Sequence, residues 1–296
     1  MTSPALWIAG ARPKTLPAAI APVLVGTALA GANWLPLRAL LALVVALSLQ
    51  IGVNYANDYS DGIRGTDSAR IGPVRLVGQG LAPAQHVRTA ALASFVLAAV
   101  AGLIVVAVSG HWWLLIVGAA SIAAAWLYTG GPRPYGYAGL GEVFVFVFFG
   151  LVPVLGTLYV QTDSVDVNAV LASVGVGALA CAILVTNNLR DIPTDTQAGK
   201  KTLAVRLGDR RTRDLYVALI VVAFVAVIAM SVAASVSPWV LLGLLAAPWA
   251  IRPVRVVTSG ASGPGLIPAL VSTGHLVIVY AVALSLGLVI PIIFGP

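Results

Sequence analysis

The feature that most constrains this chain is a succession of long apolar runs, interrupted only by short polar stretches. Nine runs read as candidate spans: residues 14–34, 37–57, 89–108, 112–128, 140–160, 167–188, 215–236, 239–257 and 266–293. Most reach the roughly 20 residues that a helix needs to cross about 30 Å of hydrocarbon. The fourth and eighth are short, and the eighth contains Pro248 and Arg252. A water-soluble core has no room for so many apolar side chains. Only 9% of residues are charged, against about 25% in an average soluble domain. Lipid removes the limit, because each helix satisfies its own backbone and turns its side chains outward. The sequence therefore predicts an all-α, polytopic transmembrane bundle of about nine spans, a single domain over residues 1–296. The first run lacks the small-residue cleavage site of a signal peptide and is expected to be retained. The lone cysteine, Cys181, excludes an internal disulfide.

The formal net charge is +7, which in a soluble protein points to nucleic acid. Its placement points elsewhere. Alternating spans bring the N-terminal segment and every second loop to one side, together with 16 of the 17 Lys and Arg residues. Only Arg38 falls on the other side. Cytoplasmic loops carry the excess of Lys and Arg, so this face is predicted to be cytoplasmic. The expectation is a multi-pass cell-membrane protein with its N-terminus inside, and nucleic acid is not an expected partner.

Acids are scarce, and half of the ten fall in two tight groups. The first is Asn54-Tyr55-Ala56-Asn57-Asp58-Tyr59-Ser60-Asp61, continuing to Gly65-Thr66-Asp67. The second is Asn187-Asn188-Leu189-Arg190-Asp191-Ile192-Pro193-Thr194-Asp195. Each sits where an even-numbered span emerges on the basic face, and each opens Asn-x-x-x-Asp. Positions i, i+4 and i+7 share a helix face, so Asn54, Asp58 and Asp61 are expected to project together. Asn187, Asp191 and Asp195 would do the same, but Pro193 predicts a bend or an end that leaves Asp195 on a loop. Clustered carboxylates beside a membrane are costly unless a cation joins them. Oxygen donors without His or Cys suit Mg²⁺, which shares its coordination with substrate phosphates. Solvated loop acids would scatter rather than pair, so the two groups predict a diphosphate site. Arg190, Lys200, Lys201, Arg70 and Arg75 lie in the same loops and suit that anion, although topology alone also accounts for any one of them. Glu142 reads as an interfacial acid, and His86, His111 and His275 share no spacing.

These motifs resemble those of the UbiA superfamily of intramembrane aromatic prenyltransferases. Four strings are most like the branch that prenylates 1,4-dihydroxy-2-naphthoate in menaquinone synthesis. The first two are Arg12-Pro13-Lys14-Thr15-Leu16-Pro17-Ala18 and Asn57-Asp58-Tyr59-x-Asp61 through Gly65-x-Asp67. The others are Asn188-x-Arg190-Asp191-x-x-x-Asp195 and Gly199-Lys200-x-Thr202-Leu203-Ala204-Val205-Arg206-Leu207-Gly208. The last three spans match in hydropathy only. Asp67 follows Asp61 by six residues, where the wider superfamily has four.

The resemblance implies a UbiA-like helical bundle and Mg²⁺ held by Asp58, Asp61, Asp191 and Asp195, with Asp67 a further candidate. It implies a polyprenyl diphosphate donor and an aromatic acceptor that attacks the allylic cation and loses CO₂. Asn54, Asn57, Asn188, Arg190 and Lys200 would then bind the phosphate end, and Lys14 or Arg133 would grip the acceptor or the diphosphate. Tyr128 and Tyr135 would shield the cation with their π-faces or anchor the chain at the interface. Three alternatives remain at this point. One is a different acceptor, such as 4-hydroxybenzoate. A second is a CDP-alcohol phosphatidyltransferase, which Asp58-x-x-Asp61-Gly62 resembles at its start but Gly65-Thr66 does not continue. The third is a transporter, which would place its acids in mid-span rather than at helix ends.

Overall fold

The computed structural model describes residues 2–66, 74–232 and 237–294. The helices are α1 (Pro4–Ala11), α2 (Pro17–Leu29), α3 (Pro36–Ile63), α4 (Ala84–Ser109) and α5 (Leu114–Leu127). They continue with α6 (Gly141–Thr162), α7 (Val167–Gln197), α8 (Leu203–Val232), α9 (Pro238–Thr258) and α10 (Gly263–Phe294). Among the described residues seven helices, α3, α4 and α6 to α10, are long and apolar enough to cross a membrane. The shorter apolar helices α2 and α5 occupy the first and fourth expected spans. The protein is an integral membrane helical bundle, and the short helix α1 precedes its spans.

Proline shapes several of these helices. α1, α2, α3 and α9 each carry one in the first turn, where the missing N–H has no helical partner to lose. The doubtful eighth run resolves the same way. It opens as a 3₁₀ segment, Pro238–Ala246, and Pro248 then stands in the first turn of the α-helical part. In α6 a π-helical turn at Val147–Leu151 shifts the register just ahead of Pro153.

The expectation at Pro193 needs correcting. α7 runs through it to Gln197, so Asp195 is helical and not on a loop. Pro193 is exposed and removes only one backbone donor. The Thr194 and Thr196 hydroxyls donate to the carbonyls of Asp191 (3.0 Å) and Ile192 (2.7 Å), tying that turn together.

α7 is the central post, with 78% of its apolar span buried, against 17% for α3. The main core gathers around it: Val176 and Leu179 pack with Tyr216 and Met230 of α8 and Tyr280 of α10. The two core phenols are satisfied, since Tyr216 shares a 2.7 Å bond with Thr273 and Tyr280 donates to the Ala223 carbonyl at 2.9 Å. α6 crosses α7 at a glycine contact. A Cβ on Gly150 would meet Gly177 Cα at 2.5 Å, so only small residues allow that approach. A second core joins α1, α3 and α4 around Tyr55, Leu76 and Phe95.

The ends of the bundle are knit separately. At the end away from the acidic motifs, Arg38 of α3 donates to Val108 O (2.7 Å) and Val160 O (2.6 Å), near the ends of α4 and α6. Beside it His111 and Asp163 join at 2.6 Å, and His111 packs on Tyr159. Arg38 thus neutralises two helix C-termini. Arg38→Ala should cost about 1–2 kcal/mol, the scale of charge-assisted hydrogen bonds to partly exposed carbonyls, read as a lower melting temperature in detergent. Arg38→Lys should recover only part of it, because an ammonium lacks the fork that reaches both carbonyls. Wild-type melting of Arg38→Ala would show that this clasp carries no stability.

Candidate active site

Both acidic motifs lie at the same end of the bundle and border one cavity of about 850 Å³. On α3 successive residues turn by about 100°, and this divides the first motif. Asn54, Asn57 and Asp61 line the cavity. Asp58 sits about 60° round the helix from Asp61 and is fully buried. Its two oxygens accept the backbone N–H groups of Leu76 (2.7 Å) and Val77 (3.0 Å). The expected shared face therefore holds for Asn54 and Asp61, with Asn57 beside them, while Asp58 fastens the segment after α3. Asn54 donates to Ala11 O (2.9 Å) and to Thr15 Oγ1 (3.0 Å), fixing the Arg12-Pro13-Lys14 segment at the cavity mouth. Asn57 accepts from Thr129 at 2.8 Å.

On α7, Asn187, Asn188, Arg190 and Asp195 line the cavity. Arg190 forms a two-pronged pair with its neighbour Asp191, both bonds 2.7 Å and both side chains buried. The helix ends in a turn that places the next charge. Gly199 has a φ of +71°, a conformation glycine adopts freely. Its N–H bonds to Thr196 O and that of Lys200 reaches back to Asp195 O (2.9 Å), the Schellman pattern. The chain thereby doubles back and buries Lys200. Its ammonium lies 3.4 Å from Asp61 Oδ1, 4.0 Å from Asp195 Oδ1 and 4.6 Å from the centre of the Tyr137 ring. One cation thus bridges both motifs.

Tyr137 completes the junction by donating its phenol to Asp61. Burial, and then the charge of Asp61, hold that phenol above its ordinary value, so it stays a donor at neutral pH. Tyr128 and Tyr135 line the cavity. Tyr135 stacks on Phe144 at 3.9 Å and donates to Ala124 O at 2.8 Å. The π-helical turn of α6 brings both Phe148 and Phe149 to the cavity wall.

Other expected residues fall differently. Lys14 is exposed but borders the mouth. Arg133 is exposed and is not among the lining residues, because its loop turns outward between Pro132 and Pro134. The loop's cationic partner is Arg64 at the end of α3, which binds the carbonyls of Thr129 and Gly131. Glu142 is buried rather than interfacial and accepts from Asn188 at 2.9 Å. Asp67 lies outside the described residues. Arg75, expected among the basic loop residues, is buried and lines the cavity. Tyr137 and Thr129 were not singled out in the sequence; the Tyr135-Gly136-Tyr137 doublet was a usable signal for Tyr137, and no local pattern marks Thr129. Among the described residues no three His, Cys, Asp or Glu side chains converge on one point. The donor set is two carboxylates with asparagine amides.

Fold and site together define an integral membrane helical bundle whose long, largely apolar cavity carries a cluster of charged groups at one end. Residues 19–265 match the UbiA prenyltransferase family, and the chain belongs to that family. It is a prenyltransferase, and the transporter and phosphatidyltransferase readings fall away. It is 56% identical over 289 residues to the 1,4-dihydroxy-2-naphthoate octaprenyltransferase of Mycobacterium tuberculosis, covering 96% of this chain and 97% of that one. The Escherichia coli enzyme of the same name is 43% identical, covering 85% and 84%. Among solved structures, a UbiA homolog from Archaeoglobus fulgidus bound to DMAPP and Mg²⁺ superposes with a TM-score of 0.69. It covers 94% of this chain and 98% of that one at 15% identity, a likeness of fold.

Proposed function

We propose that this enzyme transfers a polyprenyl group from its diphosphate to 1,4-dihydroxy-2-naphthoate, releasing diphosphate and CO₂ and giving demethylmenaquinol, the hydroquinone form of demethylmenaquinone. The observation that carries the site is the convergence of Asp61 and Asp195 on a single ammonium at the polar end of a long apolar cavity. The acceptor follows the activity named for the two relatives above. The 16 basic residues on the motif-bearing face support a cytoplasmic site in the cell membrane.

The donor set suits Mg²⁺: Asp61 and Asp195 supply carboxylate oxygen, Asn54, Asn57 and Asn188 neutral oxygen, and Asp58 and Asp191 lie one helical step behind. Two carboxylates already flank one cation there, and Mg²⁺ commonly takes one or two carboxylates plus phosphate oxygens. When bound, it neutralises charge on the departing diphosphate. The chain's own groups do the rest. Lys200 and Arg190, the latter oriented by Asp191, add positive charge where the leaving group gathers electrons. The carbon–oxygen bond breaks and its electron pair leaves with the diphosphate. Tyr128, Tyr135 and Phe148 present π-faces to the allylic cation and exclude water. The ring carbon bearing the carboxylate forms the new carbon–carbon bond, and the pair released with CO₂ restores the aromatic ring.

Purified protein in detergent, given octaprenyl diphosphate, Mg²⁺ and 1,4-dihydroxy-2-naphthoate, should form lipid product and CO₂ in equal amounts, and EDTA should abolish both. Prenylation of 4-hydroxybenzoate without CO₂ release, and none of the naphthoate, would overturn the acceptor. Undiminished turnover in EDTA would overturn the metal.

A further inference from the structure

Away from its charged end the cavity runs between α3, α4, α5 and α6 and reaches Ala42, Val106 and Val160. Along α3 the distance from Asn57 to Ala42 is about 22 Å at 1.5 Å per residue. In this deep part three lining residues are glycines on three helices: Gly102 of α4, Gly118 of α5 and Gly156 of α6. Gly102 precedes the end of α4 by seven residues, Gly118 follows the start of α5 by four, and Gly156 precedes the end of α6 by six. All three therefore lie about 6–10 Å from the far helix ends, at one depth.

Helix packing does not demand glycine at these places. A Cβ on Gly118 or Gly156 would meet no atom within 4 Å, and one on Gly102 would meet only Val45 at 3.9 Å. Gly150, against Gly177, shows what a packing glycine looks like in this bundle. Glycine within a helix costs about 0.5–1 kcal/mol relative to alanine, and here it gains no contact. What it leaves is open width in the cavity. A few residues further out along the helices lies the clasp of Arg38, Val108, Val160, His111 and Asp163.

We propose that Gly102, Gly118 and Gly156 form an open collar through which the distal part of the donor's polyprenyl tail passes, so that they determine which tail lengths are accepted. This rests on the prenyl-transfer reading above and adds a length-determining element to it. Short donors end before the collar and are indifferent to it. Long donors must thread it.

The test compares wild type with Gly118→Leu and Gly156→Leu, substitutions whose Cβ meets no atom within 4 Å, with folding checked by melting temperature. With 1,4-dihydroxy-2-naphthoate as acceptor, each should lower kcat/KM for octaprenyl diphosphate about ten-fold or more, the scale on which filled apolar space discriminates. For geranyl diphosphate kcat/KM should stay within about two-fold, and Gly118→Ala should fall between. A second readout needs no acceptor. The octaprenyl thiolodiphosphate should raise the melting temperature of wild type more than that of Gly118→Leu, while the geranyl analogue stabilises both equally. Unchanged use and binding of the octaprenyl compounds by both leucine variants would overturn the proposal and show that the tail leaves sideways into lipid. An equal loss for both lengths would overturn it in favour of a packing role. Absence of prenyl product from wild type would count against the prenyl-transfer reading, while the binding comparison still decides the collar.

Discussion

Asp61→Asn and Asp195→Asn should each lower kcat/KM on the order of 10³-fold while leaving the helical bundle folded. Asparagine keeps the shape and one oxygen but removes the charge. Each carboxylate is half of the pair that flanks Lys200 across the two motifs. Removing one charged group that stabilises a leaving group typically costs 10²–10³-fold, and a metal ligand adds to this. Circular dichroism and melting temperature should stay near wild type, because the remaining carboxylate still faces the ammonium. The loss should ease as Mg²⁺ is raised, since a weakened site fills by mass action. Turnover within ten-fold of wild type in both variants would remove these residues from the catalytic site.

Lys200→Met should show a large effect on stability as well as on turnover. The side chain is buried, and its ammonium is the group seen to join α3 to the end of α7. Methionine fills similar space but leaves Asp61 and Asp195 apposed without that cation. Removing one partner from a buried ion pair costs roughly 3–5 kcal/mol. Melting in EDTA should therefore fall well below wild type. Mg²⁺ should raise the melting temperature of Lys200→Met more than that of wild type, because a cation at the two carboxylates replaces the missing charge. Equal melting of the two proteins in EDTA would show that Lys200 does not hold the motifs together. Equal response to Mg²⁺ would show that metal and lysine act at separate places.

Much of this protein is legible without coordinates, because the strongest constraint acts locally. In lipid every backbone group must be satisfied within its own segment, so the apolar runs define the helices, and the placement of Lys and Arg predicts their direction. Both acidic motifs were expected on one side for the same reason, and they meet there. What local pattern misjudged was Pro193. The rule that proline ends a helix is statistical, and α7 carries an exposed proline through to Asp195.

The tertiary structure alone decided how each motif divides its labour. Asp58 and Asp61 are close in sequence and alike in chemistry, yet one is turned to the backbone of Leu76 and Val77 and the other to the cavity. A 60° difference around α3 separates them, and which side becomes cavity depends on helices far away in the chain. Lys200, one of several basic residues near the second motif, is singled out by the turn at Gly199 that folds it back between two carboxylates. Tyr137 reaches Asp61 across 76 residues, and Arg133, equally plausible as a string, points away. Spans, sidedness and the kind of chemistry follow from periodicity and composition, which any short window of sequence carries. Which oxygen faces the substrate, and where a glycine leaves room, follow from long-range packing, which no short window contains.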